Sequence, residues 1–230
     1  MANYRYTYGP VPSRRLGLSL GVDVVPLKTC TYNCVYCQLG RTSNPTAKRG
    51  SFCDVGQVLR EVEERIRARP DAEYITISGS GEPTLNRDLG SIIEGIRARS
   101  TTPIAVITNG SLLWMAEVRD ALDEADLVIP SLDAAREELF RRINRPVEEL
   151  EFSRIVEGLR TFAQHTRCRV WVEVMLVRGL NDTPEELAHL REILRGLRVE
   201  KVQLNTVIRP PSEPAVKPLT GEEMEHARHI

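Results

Sequence analysis

Six short aliphatic runs alternate with stretches of helical apolar spacing between residues 18 and 207, and that alternation leaves few folds open. The extended runs are Leu18 to Val25, Tyr74-Ile75-Thr76-Ile77, Ile104-Ala105-Val106-Ile107, Leu127-Val128-Ile129, Val170 to Val177 and Val202 to Val207. Helix faces follow at Val58, Leu59, Val62 and Ile66, then at Leu89, Ile92, Ile93 and Ile96, then at Met115, Val118 and Leu122. Two more come at Phe152, Ile155, Leu159 and Phe162, and at Leu187, Leu190, Ile193, Leu194 and Leu197. Strands that are apolar along their whole length are buried on both faces, so the pattern predicts a parallel sheet covered by helices. The fold class is α/β, as an open doubly wound sheet or an incomplete barrel of six β/α units. Either arrangement puts function on loops at the C-terminal ends of the strands. Polar clusters stand there: Gly79-Ser80-Gly81-Glu82, Thr108-Asn109-Gly110, Ser131-Leu132-Asp133 and Asn205 onward.

A chain of 230 residues fits one such domain, or two small ones. Residues 38–54 are polar and read as a long loop. Pro210, Pro211, Pro214 and Pro218 make residues 209–220 an extended tail or linker. Thr220-Gly221-Glu222-Glu223 then reads as a capped helix start. The expectation is a core domain over residues 1–208, with a proline-rich tail at 209–230 that begins a truncated C-terminal element. No apolar run is long enough to cross a bilayer, and Met1-Ala2-Asn3-Tyr4-Arg5 lacks the apolar centre of a secretory signal, so a cytoplasmic protein without a membrane partner is expected. The 31 basic and 32 acidic residues balance to a net charge of −1, which argues against a broadly basic nucleic-acid binder and against an acidic disordered chain. Only four of the basic residues, Lys28, Lys48, Lys201 and Lys217, are lysines.

Three of the five cysteines, Cys30, Cys34 and Cys37, fall within eight residues just after the first extended run. In a reducing compartment that pattern points to metal or redox chemistry. Structural zinc takes four ligands, and no fourth is evident: Cys53 and Cys168 are distant, and His165, His189, His226 and His229 lack paired spacing. Cubane iron–sulfur clusters take one thiolate per iron, so three cysteines leave one iron open to an external ligand. Zinc held with help from Cys53 stays open as an alternative.

The x3/x2 cysteine spacing, with aromatic Tyr36 before the last cysteine, resembles the signature of the radical S-adenosylmethionine (SAM) superfamily. Ser80-Gly81-Glu82-Pro83 is similar to that superfamily's Gly-Gly-Glu-Pro motif, with Ser80 in the first position. The likeness runs from about residue 10 to residue 208. Gly9-Pro10-Val11-Pro12-Ser13-Arg14-Arg15-Leu16-Gly17 and Gln203-Leu204-Asn205-Thr206 resemble a group labelled iron–sulfur oxidoreductases or wyosine-synthase-like proteins.

The resemblance implies a partial (β/α)6 TIM-like barrel, a [4Fe-4S] cluster and SAM as cofactors, and an external one-electron reductant. The substrate is left open among a small molecule, a peptide or protein, and tRNA. It implies cluster ligation by Cys30, Cys34 and Cys37. It implies contact of Ser80, Gly81 and Glu82 with the SAM methionine, of Tyr36 with the adenine, and of Ser131 and Asp133 with the ribose. Glu173 and Asn205 are candidates for the SAM or substrate pocket, and Arg14, Arg15 and Arg209 for an anionic substrate or the SAM carboxylate.

Each residue also has a plainer reading. The Gly79-Ser80-Gly81 turn can be a strand-to-helix connection with Glu82 at a helix N-terminus. Ser131 and Asp133 can cap a helix. As a dinucleotide motif the glycines fall short, because Thr84 stands where a third glycine belongs. A wyosine-type tRNA activity calls for a lysine that forms a Schiff base and for a basic surface, and Lys28 is the lysine nearest the cysteines. A zinc-stabilised nucleic-acid-binding module is the rival from another class.

Overall fold

The computed structural model describes residues 4–230, so the N-terminal Met1-Ala2-Asn3 of the sequence reading lies outside the described residues. One seven-stranded sheet organises the chain. Its strands are β1 (Thr7–Ser13) and β2 (Gly17–Val22), then β5 (Tyr74–Ile77), β6 (Ile104–Thr108), β7 (Leu127–Pro130), β8 (Arg169–Leu176) and β9 (Lys201–Thr206), in that spatial order. Every neighbouring pair from β2 to β9 is parallel. A minor pair, β3 (Thr29–Cys30) with β4 (Asn44–Pro45), interrupts the long loop expected over residues 38–54.

The sheet curls into a half-barrel. Four strand steps separate β2 from β8, about 19 Å if the sheet were flat. Yet Arg15, in the turn just before β2, places Nη2 2.5 Å from Glu173 Oε1 on β8. Inside the curl the floor is apolar: Leu16, Ala105, Leu127 and Ile129, flanked by Tyr74, Ile107 and Trp171. Outside it, Ile75, Ile77, Ile104, Val106, Val128, Val172 and Val174 pack into the main core under the helices. Both faces of the central strands are therefore buried, which is why they read as unbroken aliphatic runs. Toward the C-terminal ends the buried residues turn polar: Thr108, Glu173 and Asn205.

The helices follow the apolar spacing. Helix α1 (Val55–Ala68) is capped by Asp54, which accepts from Gln57 N at 2.9 Å. Helices α2 (Leu89–Arg97), α3 (Ala116–Leu122), α5 (Phe152–His165) and α6 (Pro184–Arg195) bury most of the predicted stripe, while Phe152, Ile193 and Leu194 stay half-buried, Met115 stands at the start of α3 and Leu197 lies past the end of α6. Helix α4 (Glu137–Ile143) was not expected. Its buried residues Leu139, Phe140 and Ile143 span about one turn, too little to repeat as a stripe. Strand β1 was not expected either, because Pro10 and Pro12 break a strand pattern. It is tolerated at the sheet edge, antiparallel to β2, with an irregular register between Tyr8 and Val11. Glu61 on α1 anchors that edge by accepting from the backbone of Arg5, Tyr6 and Thr7.

The tail does not run free. Val216 and Leu219 are buried, and Arg178 N donates to Lys217 O at 3.1 Å. Helix α7 (Gly221–His229) starts with a full capping box between Thr220 and Glu223, and it buries Met224 and Ala227.

Candidate functional site

The cysteine loop leaves the top of β2 and crosses the open mouth of the curl. Tight turns shape it: Cys37 N donates to Cys34 O, and Gly40 N to Cys37 O, each at 3.1 Å. Its outer side is stitched to the end of α4 by Asn33 N to Asn144 O and by Val35 N to Ile143 O. Buried Tyr32 anchors it edge-on against Phe140, with ring centroids 5.3 Å apart. Cys30, Cys34 and Cys37 all face one cavity of about 570 Å³. Burial, followed by the Glu82 carboxylate, pushes the Cys30 thiol up to about 12. Burial, followed by the neighbouring Cys30, pushes the Cys34 thiol well above its ordinary value.

Thiols so placed stay protonated until a cation replaces their protons, which is how metal-binding thiols behave before loading. Among the described residues no three His, Cys, Asp or Glu side chains converge as a single-ion site. Three thiols spread round a common cavity suit a group of several metal atoms, so the donor set fits a cluster with one uncovered corner.

The Ser80-Gly81-Glu82 turn, at the end of β5, lies against the same segment. Lys28 N donates to Ser80 O at 2.6 Å, and Glu82 N to Thr29 O at 3.0 Å. Gly81 is required by close approach: a Cβ there would stand 1.9 Å from Thr29 O. Asp23 fixes the turn by accepting from Ser80 N at 3.1 Å and from the Ser80 hydroxyl. Glu82 is buried, and burial raises its pKa. Its Oε1 accepts from Thr84 N, Thr84 Oγ1 and Thr108 Oγ1, and its Oε2 from Asn109 N at 2.7 Å. Glu82 therefore caps the 3-10 turn Pro83–Leu85 and locks the end of β6 while it lines the cavity.

The structure brings Tyr36, Ser80, Gly81, Glu82, Ser131 and Glu173 round the cavity with the three cysteines. Arg14, Arg15 and Arg209 line it too. Asp133 and Asn205 stand behind that wall. Asp133 Oδ2 accepts from Tyr36 OH at 2.5 Å and from Asn144 Nδ2 at 2.7 Å, and its Oδ1 from Met175 N at 2.9 Å. It braces the cysteine loop, and burial raises its pKa. Asn205 Nδ2 donates to Glu173 Oε1, which also receives Arg15.

Two asparagines were missed as functional candidates. Asn109 Nδ2 donates to Thr31 Oγ1 at 2.7 Å and lies 3.6 Å from Cys30 Sγ. Asn144 Nδ2 lies 3.6 Å from Cys34 Sγ, and its buried Oδ1 has no partner. The polar run at the end of β6 pointed toward Asn109. Nothing in the sequence pointed to Asn144, whose neighbours are brought together only by the fold.

A family model described as the Radical SAM superfamily matches residues 24–191. Among curated relatives, GTPase Obg of Brachyspira hyodysenteriae is 43% identical over 221 residues, which cover 96% of this chain and 32% of that protein. A UPF0026 protein of Synechocystis sp. is 38% identical over 223 residues, 96% of this chain and 80% of that protein. The chain thus spans about a third of the first of these relatives and most of the second. A solved structure of TYW1 with a lysine-pyruvate adduct bound matches the fold with a TM-score of 0.66 at 20% identity, covering 91% of this chain and 71% of that one.

Proposed function

Because the chain belongs to the radical SAM superfamily and to the UPF0026 family, we propose that it is an enzyme whose Cys30, Cys34 and Cys37 hold a [4Fe-4S] cluster beside bound SAM. Reduced by an external donor, a cluster held there would supply the one-electron chemistry that cleaves SAM and leads to hydrogen abstraction from a substrate. The chain's own residues do the rest. Thr29 and the Ser80–Glu82 turn fix the spacing between the cysteine loop and β5. Gly81 offers backbone polar groups to the methionine end of SAM, Ser80 is held by Asp23 and Lys28 and positions that turn, and the buried Glu82 carboxylate favours the ammonium. Ser131 offers a hydroxyl to the ribose, and Tyr36, held by Asp133, borders the adenine. The apolar floor and the buried loop keep water from the reacting atoms. The thiols and the cluster need a reducing compartment, so a cytoplasmic location is part of the proposal. Among the described residues no helix is long and apolar enough to cross a membrane.

The observation that carries this reading is the packing of the Ser80–Glu82 turn onto Thr29, which puts a buried carboxylate and three thiols on one cavity. The test is anaerobic reconstitution followed by dithionite and SAM. A brown protein with about four irons per chain that releases 5′-deoxyadenosine is the expected result. A colourless protein carrying zinc, or an iron-loaded one that leaves SAM intact, overturns it.

One observation favours a wyosine-type activity as a second reading. Lys28 lines the cavity, and the TYW1 structure carries a lysine-pyruvate adduct. Borohydride trapping of pyruvate on Lys28 would support it, and no trapped mass would remove it.

A further inference from the structure

The cavity carries more positive charge than SAM can use. Four basic side chains line it: Arg14, Arg15, Lys28 and Arg209. Arg15 is neutralised by Glu173 at 2.5 Å. Among the described residues Arg14, Lys28 and Arg209 make no ion pair. Glu82 adds one carboxylate to the cavity wall, and the SAM ammonium takes up that charge. SAM brings one carboxylate but two cationic centres, the sulfonium and the ammonium. A cluster held by three thiolates adds negative charge of its own, but three unpaired cations around it and SAM still leave positive charge that a further anion would balance.

The three cations reach the cavity from separate parts of the chain. Arg14 sits in the β1–β2 turn, Lys28 on the leg into the cysteine loop, and Arg209 just beyond β9. Arg209 is positioned by Gln38, to which its Nη1 donates at 2.7 Å. Lys28 Nζ lies over Gly40. Two of the three cations therefore flank the segment that follows Cys37. Lys28 also has a φ of +59°, which a side-chain-bearing residue rarely adopts. Its backbone is clamped on both sides, by its N–H to Ser80 O at 2.6 Å and by its carbonyl from Asn44 N at 3.1 Å. The unfavourable backbone is thus held in place at the cavity wall by its neighbours.

We infer that Arg14, Lys28 and Arg209 form an oxyanion-binding subsite, and that the substrate is a small molecule bearing a phosphate or carboxylate group. This rests on the radical SAM reading above and names the substrate class for it. Guanidinium groups grip planar and tetrahedral oxyanions through paired N–H donors, and Lys28 adds a point charge.

The test uses the reconstituted, SAM-loaded protein under anaerobic conditions. Calorimetric titration with inorganic phosphate, with acetate and with neutral glycerol is compared for the natural chain, Arg14→Gln and Arg209→Gln. Far-UV circular dichroism confirms that the variants fold. At least one oxyanion should bind where glycerol does not, with an affinity that falls as salt rises. Each variant should weaken it about tenfold. Tighter binding of phosphate or of acetate identifies which oxyanion the substrate carries. The inference is overturned if neither oxyanion binds better than glycerol or if both variants bind them as the natural chain does. It is also overturned if the variants lose SAM affinity by the same factor, since the cations then serve the SAM carboxylate. Release of 5′-deoxyadenosine by the natural chain, assayed on the same samples without probe, separates failure of this subsite from failure of the radical reading.

Discussion

Replacing Gly81 with alanine tests the contact on which the site is built. The added methyl carbon would lie 1.9 Å from Thr29 O and 2.8 Å from Thr29 C. An ordinary carbon–oxygen contact is about 3.3 Å or longer, so the two backbones must part by more than about 1 Å. Parting them breaks the Glu82 N–H bond to Thr29 O, now 3.0 Å. A net hydrogen bond of about 1 kcal/mol is lost. Overpacking of a site that cannot yield adds about 1–3 kcal/mol. For a chain of this size each kcal/mol moves the melting point by about 2–4 °C, so the cluster-free variant should melt about 5–15 °C below the natural chain. Thr29 adjoins Cys30, so iron incorporation on anaerobic reconstitution should fall as well. Gly221→Ala is the control: a Cβ at Gly221 meets nothing within 4 Å, and its melting point should move by no more than about 2 °C. Thermal unfolding by circular dichroism and iron per chain are the readouts. If Gly81→Ala melts with the control and loads full iron, the contact does not hold the site and the reasoning fails.

Cys34→Ala should remove the bound iron and all 5′-deoxyadenosine formation, and a variant that still cleaves SAM would refute its role as a ligand. Asn144→Leu takes a donor from the buried Asp133 carboxylate, a bond seen at 2.7 Å, and should cost about 1.5–3 kcal/mol in urea unfolding. An unchanged midpoint would show that the carboxylate is satisfied without it. Burial raises the Asp133 pKa, so the native state binds the extra proton: its contribution to stability is full below the unfolded value of about 3.9 and is lost as pH rises through the folded value. The melting point of Asp133→Asn relative to the natural chain should therefore improve as pH climbs above about 4, and a gap that is flat from pH 4 to 8 would contradict it.

The sheet was legible in the sequence because its central strands are buried on both faces and leave few polar positions to confuse the pattern. Strand β1 was not, since Thr7–Ser13 is a proline-broken edge whose pairing is fixed by β2 and by Glu61 far along the chain. The cysteines and the Ser80-Gly81-Glu82 turn could be read because each is local in sequence. The reach of Asp133 could not: the residue stands at the right strand end, but its side chain turns to Tyr36 and Asn144 instead of joining Ser131 at the cavity wall. Asn109 and Asn144 approach different cysteines only after β6 and α4 fold against the loop, a nearness that spacing does not encode.

The packed tail has a thermodynamic consequence. Ser212 Oγ donates to the carbonyls of Cys34 and Val35, and Glu213 ties the same loop to Arg41 and Arg145. Docking of this segment and filling of the thiol triad therefore act on one stretch of backbone. By reciprocity, whatever secures the one would tighten the other, so a ligand held by the three thiols would also steady the C-terminal arm.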